Sequence, residues 1–405
     1  MCELNQVTTH RRQSNASATN KIEPRPIVKV LRDFGRKVPR VLTAMAYASL
    51  DDPRPSFYRE RSPRRITSHS SPSLALFRCF PVNTAPTQVT VTAPSRLHFG
   101  LLSFGQSTGR QFGGVGMMVE QPSVTLRITW ADRLTTTGPA SDRAAEFAGR
   151  WLDFYELRGV RPCQVEVVDI PPQHVGLGAG TQLALSIAAG LNAWHGRVCP
   201  PPAELARSVG RGLRSAVGTY GFLEGGLIIE RGKLPDETLS PLDSRLDVPD
   251  DWRVVLVRPR HFQGLAGDAE QRAFDALPAV SAAASESLAR ELREHLLPAL
   301  AAADFDGFSA SLYRYGHAAG LCFKALQGGP YNGSELTALV ERIRSLGVAG
   351  VGQSSWGPTL FALTPSQTAA EDLRHALLAD NTSDAEDAEV LITPANNTGS
   401  RIVAQ

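Results

Sequence analysis

The sequence predicts an α+β protein made of two folded halves that follow a long basic N-terminal segment. Strand-like and helix-like patterns alternate from about residue 88 to residue 230, and a fresh series starts at Trp252. A stretch rich in Pro and Asp, residues 234–251, lies between the two series and is expected to be a linker. A glycine-rich loop followed by small apolar residues, at 175–190, predicts a buried helix in the first half.

The domain boundaries follow from these patterns. Residues 1–86 are rich in Arg, Ser and Pro and have no periodic apolar positions, so they bury too little surface to offset their chain entropy. We expect a disordered basic extension over 1–86, a first domain over 87–235 and a second over 250–400. The composition leaves open whether the extension is dispensable, an electrostatic tether or a targeting segment.

Local patterns place the elements of the first half. Strands are expected where β-branched residues dominate or alternate with polar ones, and helices where apolar residues recur at helical spacing. The predicted strands are Val89–Ala93, Ser123–Trp130, Gln164–Ile170 and Leu227–Glu230. The predicted helices are Asp142–Leu157, Thr181–Trp194 and Pro202–Gly210.

The second half is expected to alternate strands and helices in an α+β layer arrangement. The predicted strands are Arg253–Pro259, Thr359–Thr364 and Glu389–Ile392. Long Ala-rich helical stretches, an amphipathic helix and a last helix are predicted over 268–326, Glu335–Leu346 and 367–379.

Composition excludes several classes of protein. The net charge of +2 argues against nucleic acid or an acidic membrane as a bulk partner. The five cysteines are odd in number and scattered, which predicts neither a disulfide framework nor a zinc site. No apolar run approaches the roughly 20 residues of a membrane helix, and the basic N-terminus lacks the apolar core of a secretory signal. A soluble cytoplasmic protein without a protein-held metal is expected.

The glycine loop is the most informative feature of the chain. Gly176, Gly178 and Gly180 alternate with apolar residues directly before the predicted buried helix. Backbone N–H groups and a helix N-terminus together favour an anion such as phosphate or pyrophosphate. No Gly-Lys-Ser/Thr follows, and the third glycine does not fit a dinucleotide fingerprint. The loop is either such an anion site or a turn that packs the helix closely.

Four further segments contain glycine or arginine in short polar surroundings. They are Pro94–Leu101, Phe112–Gly116, Gly210–Thr219 continuing to Gly226, and Gly350–Thr359.

Together with the glycine loop, these segments resemble the GHMP-kinase superfamily. Its signatures are an early Pro-x-Arg with a nearby Gly, a central Pro-x-x-x-Gly-Leu-Gly-Ser-Ser loop and a C-terminal Gly-rich loop, which occur here in that order over about 88–400. Arg-Leu-His-Phe-Gly, Arg-Ser-x-x-Gly-Thr and Gly-Gln-Ser-Ser-Trp-Gly-Pro are similar to the β-ribofuranosylaminobenzene 5′-phosphate synthase branch. Ala179 departs from that branch, which often has Ser there, so this position lacks a hydroxyl group; Thr181 is a candidate replacement.

The resemblance implies a two-domain GHMP-kinase-like α+β fold, with the glycine-loop helix in an N-terminal β/α domain and a ferredoxin-like C-terminal domain. It implies a phosphoribosyltransferase that joins phosphoribosyl pyrophosphate to 4-aminobenzoate or 4-hydroxybenzoate. Carbon dioxide and pyrophosphate are released, and the product feeds tetrahydromethanopterin biosynthesis. Mg²⁺ is expected to accompany the pyrophosphate. No nucleic-acid or membrane partner is expected, and a homodimer is one option.

Candidate site residues combine anion-binding and aryl-binding chemistry. Arginine suits bidentate contacts with phosphate or carboxylate, His98 is a candidate donor to a phosphate or the benzoate, and Trp356 offers stacking on an aromatic ring. The plain alternatives are surface arginines, a strand-end histidine and a core tryptophan. The catalytic candidates are Arg96, His98, Arg211, Arg214 and Ser215. The substrate-binding candidates are Gly176, Gly178, Gly180, Thr181, Gln182, Gly218, Thr219, Gln353, Ser354, Ser355 and Trp356.

Two other functions compete with this hypothesis. An ATP-dependent small-molecule kinase of the superfamily usually has an Asp general base shortly before a Gly-Gly pair. This chain has Arg211 and Arg214 there, which suit departing pyrophosphate better than proton abstraction. A non-catalytic nucleotide-binding module, with the basic extension contacting nucleic acid, is the third hypothesis, although the extension has few aromatics.

Overall fold

The computed structural model describes residues 85–405, except residues 160, 262–266 and 380–387 and the side chains of 267–270. The described residues lie in one compact unit. The predicted disorder of residues 1–86 therefore falls almost wholly outside the described residues.

Strands and helices are interspersed along the described chain, in keeping with the predicted α+β class. The strands are β1 Gln88–Ser103, β2 Phe112–Trp130, β3 Thr135–Thr137, β4 Cys163–Asp169, β5 Leu227–Glu230, β6 Leu242–Leu246, β7 Arg253–Pro259, β8 Val351–Gln353, β9 Leu360–Thr364, β10 Ala388–Pro394 and β11 Arg401–Ala404. The helices are α1 Ser141–Phe154, α2 Ala179–Trp194, α3 Pro202–Ser208, α4 Val217–Glu224, α5 Gly267–Asp275, α6 Ala282–Glu291, α7 Leu297–Ala301, α8 Phe305–Leu321, α9 Lys324–Gln327, α10 Gly333–Ser345 and α11 Gln367–Leu378, with a π-helical turn at Leu292–Leu296.

The first sheet positions the glycine-loop helix. Its strand order is β11-β1-β2-β4-β3, and β5 pairs with both β2 and β6. Helix α2 is buried along nearly its whole length against this sheet. A Cβ on Gly190 would lie 2.8 Å from a side-chain carbon of Ile128 on β2, so the small residues of α2 allow a close approach to the sheet.

The second sheet has the predicted ferredoxin-like arrangement. Its order is β10-β7-β9-β8 and every pair is antiparallel. Along the chain, helices separate β7 from β8, and α11 separates β9 from β10, which is the β-α-β-β-α-β pattern. One apolar cluster joins residues of β1 and β2 to residues of β7, β9 and α8, and a second covers the other face with α10 and α11.

The structure differs from the predicted elements at several places. The first predicted strand ends at Ala93, whereas β1 continues to Ser103 because bulges at Ala93/Ser95 and His98/Gly100 take it past Pro94. Residues 234–251, predicted to be a linker, contain β6, which pairs with β5.

Four short elements also lay outside the prediction. They are β3, α4, β8 and β11, each too short to show a period in the sequence. Strand β11 pairs with β1, so the first sheet uses both ends of the described chain. Among the described residues, no helix combines the length and apolar character needed to cross a bilayer.

Candidate active site

Three segments distant in sequence are joined by hydrogen bonds at the start of α2. Backbone N–H of Arg96 on β1 donates to the carbonyl of Leu177 in the glycine loop at 2.9 Å. The hydroxyl of Ser354 donates to the carbonyl of Gly176 at 2.7 Å and accepts the N–H of His98 at 3.1 Å. The buried Ser354 thus links strand β1, the glycine loop and the β8–β9 loop, in addition to the backbone bonds between them.

The first cavity, here called the arginine cavity, lies over the glycine loop. Its volume is about 270 Å³, and it is lined by four arginines and by the glycines of the loop. Gly178, with φ +72°, is the N-cap of α2, so the helix N-terminus opens at the cavity. Its lining residues are Arg96, Arg143, Gln173, His174, Gly176, Gly178, Ala179, Gly180, Thr181, Arg211, Arg214, Ser355, Trp356 and Gly357.

Three of these arginine head groups have different partners. Arg143 of α1 donates to the side-chain oxygen of Gln173 at 2.7 Å. Arg211 donates to the carbonyl of Gly180 at 3.1 Å, and the Arg214 guanidinium lies 4.5 Å from the ring centroid of Phe274. Such a ring of donors around backbone N–H groups suits a multiply charged anion.

The second cavity, here called the aromatic cavity, adjoins the first. Its volume is about 300 Å³, and Arg96, Arg211, Arg214 and Trp356 line both cavities. The Trp356 ring meets Phe274 and Phe323 nearly edge-on, with centroid distances of 5.4 and 5.1 Å. Tyr331 lines the same cavity. This wall of rings suits a flat aromatic ligand beside an anion.

A chain of three side chains leads from the aromatic cavity into the protein interior. His98 lines the cavity, and its Nε2 lies 3.2 Å from Oγ of Ser215. Ser215 lies in turn 2.6 Å from Oε1 of Glu230 at the end of β5. Burial, together with the Arg96 guanidinium, lowers the pKa of His98 to about 3, so the ring is neutral near pH 7. A neutral His98 still has one ring N–H, so its predicted role as a donor to a phosphate or the benzoate stays a prediction.

Four of the predicted substrate-binding residues line neither cavity and pack beneath the residues that do. They are Gln182, Gly218, Thr219 and Ser354. Gln182 is fully buried and donates to the carbonyl of Gly218 at 3.0 Å. Thr219 is buried in α4, and Ser354 makes the interloop contacts described above. The segment from Arg211 to Gly225 thus contributes Arg211 and Arg214 to the cavities, whereas Thr219 is buried in the protein interior.

The remaining predicted residues line at least one cavity. Gln353 uses both ends of its amide on the protein, because it accepts Asn332 N–H at 2.7 Å and donates to Gln327 at 2.9 Å. Ser355 adopts a positive φ of 57° and exposes its side chain where both cavities meet. The cavity-lining candidates are Arg96, His98, Arg211, Arg214, Ser215, Gly176, Gly178, Gly180, Thr181, Gln353, Ser355 and Trp356.

Sequence reasoning missed several residues of the site. Arg143 lies on an ordinary amphipathic helix, and no local signal marks it. Phe274 and Phe323 belong to predicted helical stretches, and only the folded structure shows that they line the aromatic cavity. Glu230 offered a weak signal, since it is a lone acid that ends the apolar strand Leu227–Glu230 and is fully buried.

The expected Mg²⁺ finds no carboxylate ligand in this site. No carboxylate appears among the described residues that line either cavity, and the described part of the chain contains no cluster of three metal-ligating side chains. The chain's own residues therefore do not fit a protein-held Mg²⁺ here, and Mg²⁺ that accompanies the pyrophosphate stays a prediction.

The chain is similar in sequence to a protein family and to named synthases. Residues 296–382 match the family described as GHMP kinases C terminal. A β-ribofuranosylphenol 5′-phosphate synthase of Archaeoglobus fulgidus is 29% identical over 322 residues, covering 76% of this chain and 97% of that protein. The synthase of the same name from Methanocaldococcus jannaschii is 24% identical and covers 77% of this chain and 99% of that protein.

Solved structures settle the fold. A putative sugar kinase from Campylobacter jejuni superposes with a TM-score of 0.56 at 12% identity, over 80% of this chain and all of that chain. Homoserine kinase from Cytophaga hutchinsonii gives 0.53 at 17% identity, over 79% of this chain and 98% of that one. This chain has the GHMP-kinase fold. The predicted resemblance to the superfamily and to its synthase branch is confirmed, and relatives named as synthases indicate an enzyme.

Proposed function

We propose that this GHMP-fold protein is a phosphoribosyltransferase that joins phosphoribosyl pyrophosphate to a 4-substituted benzoate, with loss of carbon dioxide and pyrophosphate. The observation that supports this best is the pair of adjoining cavities, one ringed by arginines and one walled by aromatic rings. The relatives are named for a ribofuranosylphenol product, which favours 4-hydroxybenzoate, with 4-aminobenzoate as the other acceptor.

The arginine cavity is assigned to the phosphates of the donor. Phosphoribosyl pyrophosphate has three phosphate groups, and the cavity offers four guanidinium groups and the N-terminus of α2. These donors attract charge that grows on the pyrophosphate as it departs, so they stabilise the transition state more than the bound substrate.

The aromatic cavity is assigned to the benzoate ring. Trp356 lines both cavities, so a ring packed against it lies beside a ribose whose pyrophosphate occupies the arginine cavity. Holding the two reactants side by side removes much of the entropic barrier of a two-substrate reaction.

The reaction needs no net proton transfer. The ring carbon that bears the carboxylate gives an electron pair to C1 of the ribose as the C–O bond to pyrophosphate breaks. The bond to the carboxylate then breaks, carbon dioxide leaves, and its electron pair restores the aromatic ring. A site whose described lining contains no carboxylate base is compatible with this chemistry.

An ATP-dependent kinase is the competing function, and the shared fold is its main support. A kinase of this type must accept a proton from the attacking hydroxyl. Glu230 is joined to the described site through Ser215, but it is buried behind that serine and lines neither cavity. This arrangement favours the transferase.

The deciding assay measures carbon dioxide and pyrophosphate together. Purified protein is given carboxyl-labelled 4-hydroxybenzoate or 4-aminobenzoate, with and without phosphoribosyl pyrophosphate, in the presence of Mg²⁺. We expect labelled carbon dioxide only when the donor is present, in a one-to-one ratio with pyrophosphate. Turnover of ATP with homoserine, mevalonate or galactose, without carbon dioxide release, would replace this proposal with a kinase.

A further inference from the structure

Glu230 lies outside both cavities, yet one hydroxyl joins it to a residue inside. Its Oε1 is 2.6 Å from Oγ of Ser215, and its Oε2 accepts the backbone N–H of Ala216 at 2.7 Å. The same Oγ is 3.2 Å from Nε2 of His98. Glu230 and His98 are both buried, which shields the two ends of this chain of contacts from bulk water, whereas Ser215 is half-buried at the cavity wall.

The hydrogen bonds that join Glu230, Ser215 and His98 have a definite direction. A backbone N–H can only donate, so Oε2 of Glu230 must accept. The 2.6 Å distance to Oγ is that of a hydroxyl that donates to a carboxylate. Ser215 has one hydroxyl proton, and once it points at Glu230 the oxygen can only accept from His98. The proton on His98 must then be on Nε2.

The charge of Glu230 is subject to opposing influences. Burial is the largest influence and leaves the pKa of its carboxyl raised above the ordinary value. The hydrogen bonds from Ser215 and Ala216, and the nearby Arg96 guanidinium, offset part of this effect. We assign the ionised form on geometry, because Oε2 faces a group that can only donate and Oε1 has a short contact with a hydroxyl.

We propose that Glu230 is a positioning residue that holds His98, through Ser215, as the Nε2–H tautomer, so that Nδ1 offers a lone pair to a hydroxyl or amine of the substrate in the aromatic cavity. The tautomer depends on the protein alone, whereas the identity of the donor group rests on the proposed function. Two groups of the proposed substrates have this chemistry, the para group of the benzoate and the hydroxyls of the ribose.

This assignment gives His98 a role that the neighbouring arginines cannot fill. Arg96, Arg211 and Arg214 are donors only, so they pair with phosphate oxygens and repel a hydroxyl or amino hydrogen. A neutral imidazole with a bare nitrogen accepts that hydrogen. A para hydroxyl or amino group becomes more acidic as the ring attacks the ribose, so such a contact would strengthen in the transition state.

The test is ¹⁵N NMR of histidine-labelled protein without substrate, with the His98 signals identified from a His98→Asn variant. Wild type is expected to show the Nε2–H pattern. In Glu230→Gln the amide oxygen stays with Ala216 N–H, so the amide NH₂ faces Ser215 and the serine proton turns to His98. We therefore expect His98 to switch to the Nδ1–H pattern.

Glu237→Gln is the matched control. This acid pairs with Arg110 and lines neither cavity, so its change should leave the His98 signals in place. If Glu230→Gln does not fold, Ser215→Ala removes the link while both end residues stay, and His98 should lose its fixed tautomer. Wild type in the Nδ1–H form, or a variant of Glu230 or Ser215 with unchanged His98 signals, overturns the proposal.

Calorimetric titration distinguishes the para group of the benzoate from the ribose hydroxyls as the partner of Nδ1. It also distinguishes failure of this proposal from failure of the proposed function. In Glu230→Gln, binding of 4-hydroxybenzoate weakened by several-fold to about tenfold, with benzoate unaffected, assigns the contact to the para group. A similar loss confined to phosphoribosyl pyrophosphate assigns it to the ribose. Unchanged affinity for both refutes the acceptor role of Nδ1. If the wild-type protein forms no product, the proposed function is refuted. A tautomer switch in Glu230→Gln would still support the role assigned to Glu230.

Discussion

Gly180→Ala separates anion binding from folding at the glycine loop. Gly180 is in the first turn of α2 and has no positive φ, so alanine fits its backbone without strain. A Cβ there would lie 3.3 Å from Nη2 of Arg143 and 3.5 Å from Nη2 of Arg211. The added methyl group therefore meets two guanidinium groups of the arginine cavity and no backbone.

The two effects have opposite signs. Alanine favours a helix over glycine by up to about 1 kcal/mol, so the melting temperature should stay level or rise. Displacing a guanidinium group from a bound phosphate removes a charge-assisted contact worth roughly 1.5–3 kcal/mol. Because about 1.4 kcal/mol is a factor of ten, the Kd for phosphoribosyl pyrophosphate should rise about tenfold or more.

The assay is calorimetric titration with phosphoribosyl pyrophosphate and with inorganic pyrophosphate, beside a melting curve for each protein. Gly149→Ala is the matched control, since Gly149 is inside α1 and a Cβ there meets nothing within 4 Å. It should gain helix stability and bind as wild type does. Gly180→Ala with unchanged affinity would refute the anion site, and a fall in its melting temperature would show a packing glycine instead.

Three further predictions concern single side chains of the site. Arg143→Ala should raise the Kd for pyrophosphate about tenfold, whereas Arg150→Ala on the same helix should not, as titration of both variants can show. Trp356→Leu should weaken 4-hydroxybenzoate binding several-fold and pyrophosphate binding less, as calorimetric titration of each ligand can show. The control Trp130→Leu changes an exposed tryptophan and should leave both affinities unchanged. An unfolded histidine titrates near 6.5, and burial lowers the folded pKa of His98 to about 3. The unfolded state then binds more protons between these values, so stability falls as pH drops from 6.5, and His98→Asn should melt with a shallower pH dependence over that range.

The sequence could predict the parts of this site that are local. Arg96, His98 and the three loop glycines stand in short motifs whose backbone is set by their neighbours, and the cavities are lined by them. Contacts between distant segments had no such signal. Arg143 lines the arginine cavity because α1 packs beside α2, and only the fold decides which side of α1 faces the site.

Supporting roles were hidden from the sequence for a related reason. Ser354 was expected to contact substrate because it stands in a polar loop, but it is fully buried and bonds to two other segments. A hydroxyl in a loop of small residues has the same appearance whether it faces a ligand or a neighbouring carbonyl. Glu230 was placed correctly at a strand end, while its connection to His98 depends on the pairing of β5 with β2.

The two cavities also limit how the arginines can act in the proposed reaction. A benzoate carboxylate must lose its charge to leave as carbon dioxide, so an arginine paired with it would stabilise the substrate more than the transition state. Pyrophosphate gains charge as it departs, so the same arginine stabilises its departure. The arginines that line both cavities, Arg96, Arg211 and Arg214, therefore favour the reaction only if they face the phosphates. In the proposed reaction a carboxylate held against the rings of Phe274, Trp356 and Phe323 would then have apolar neighbours on that side, which would favour its release as neutral carbon dioxide.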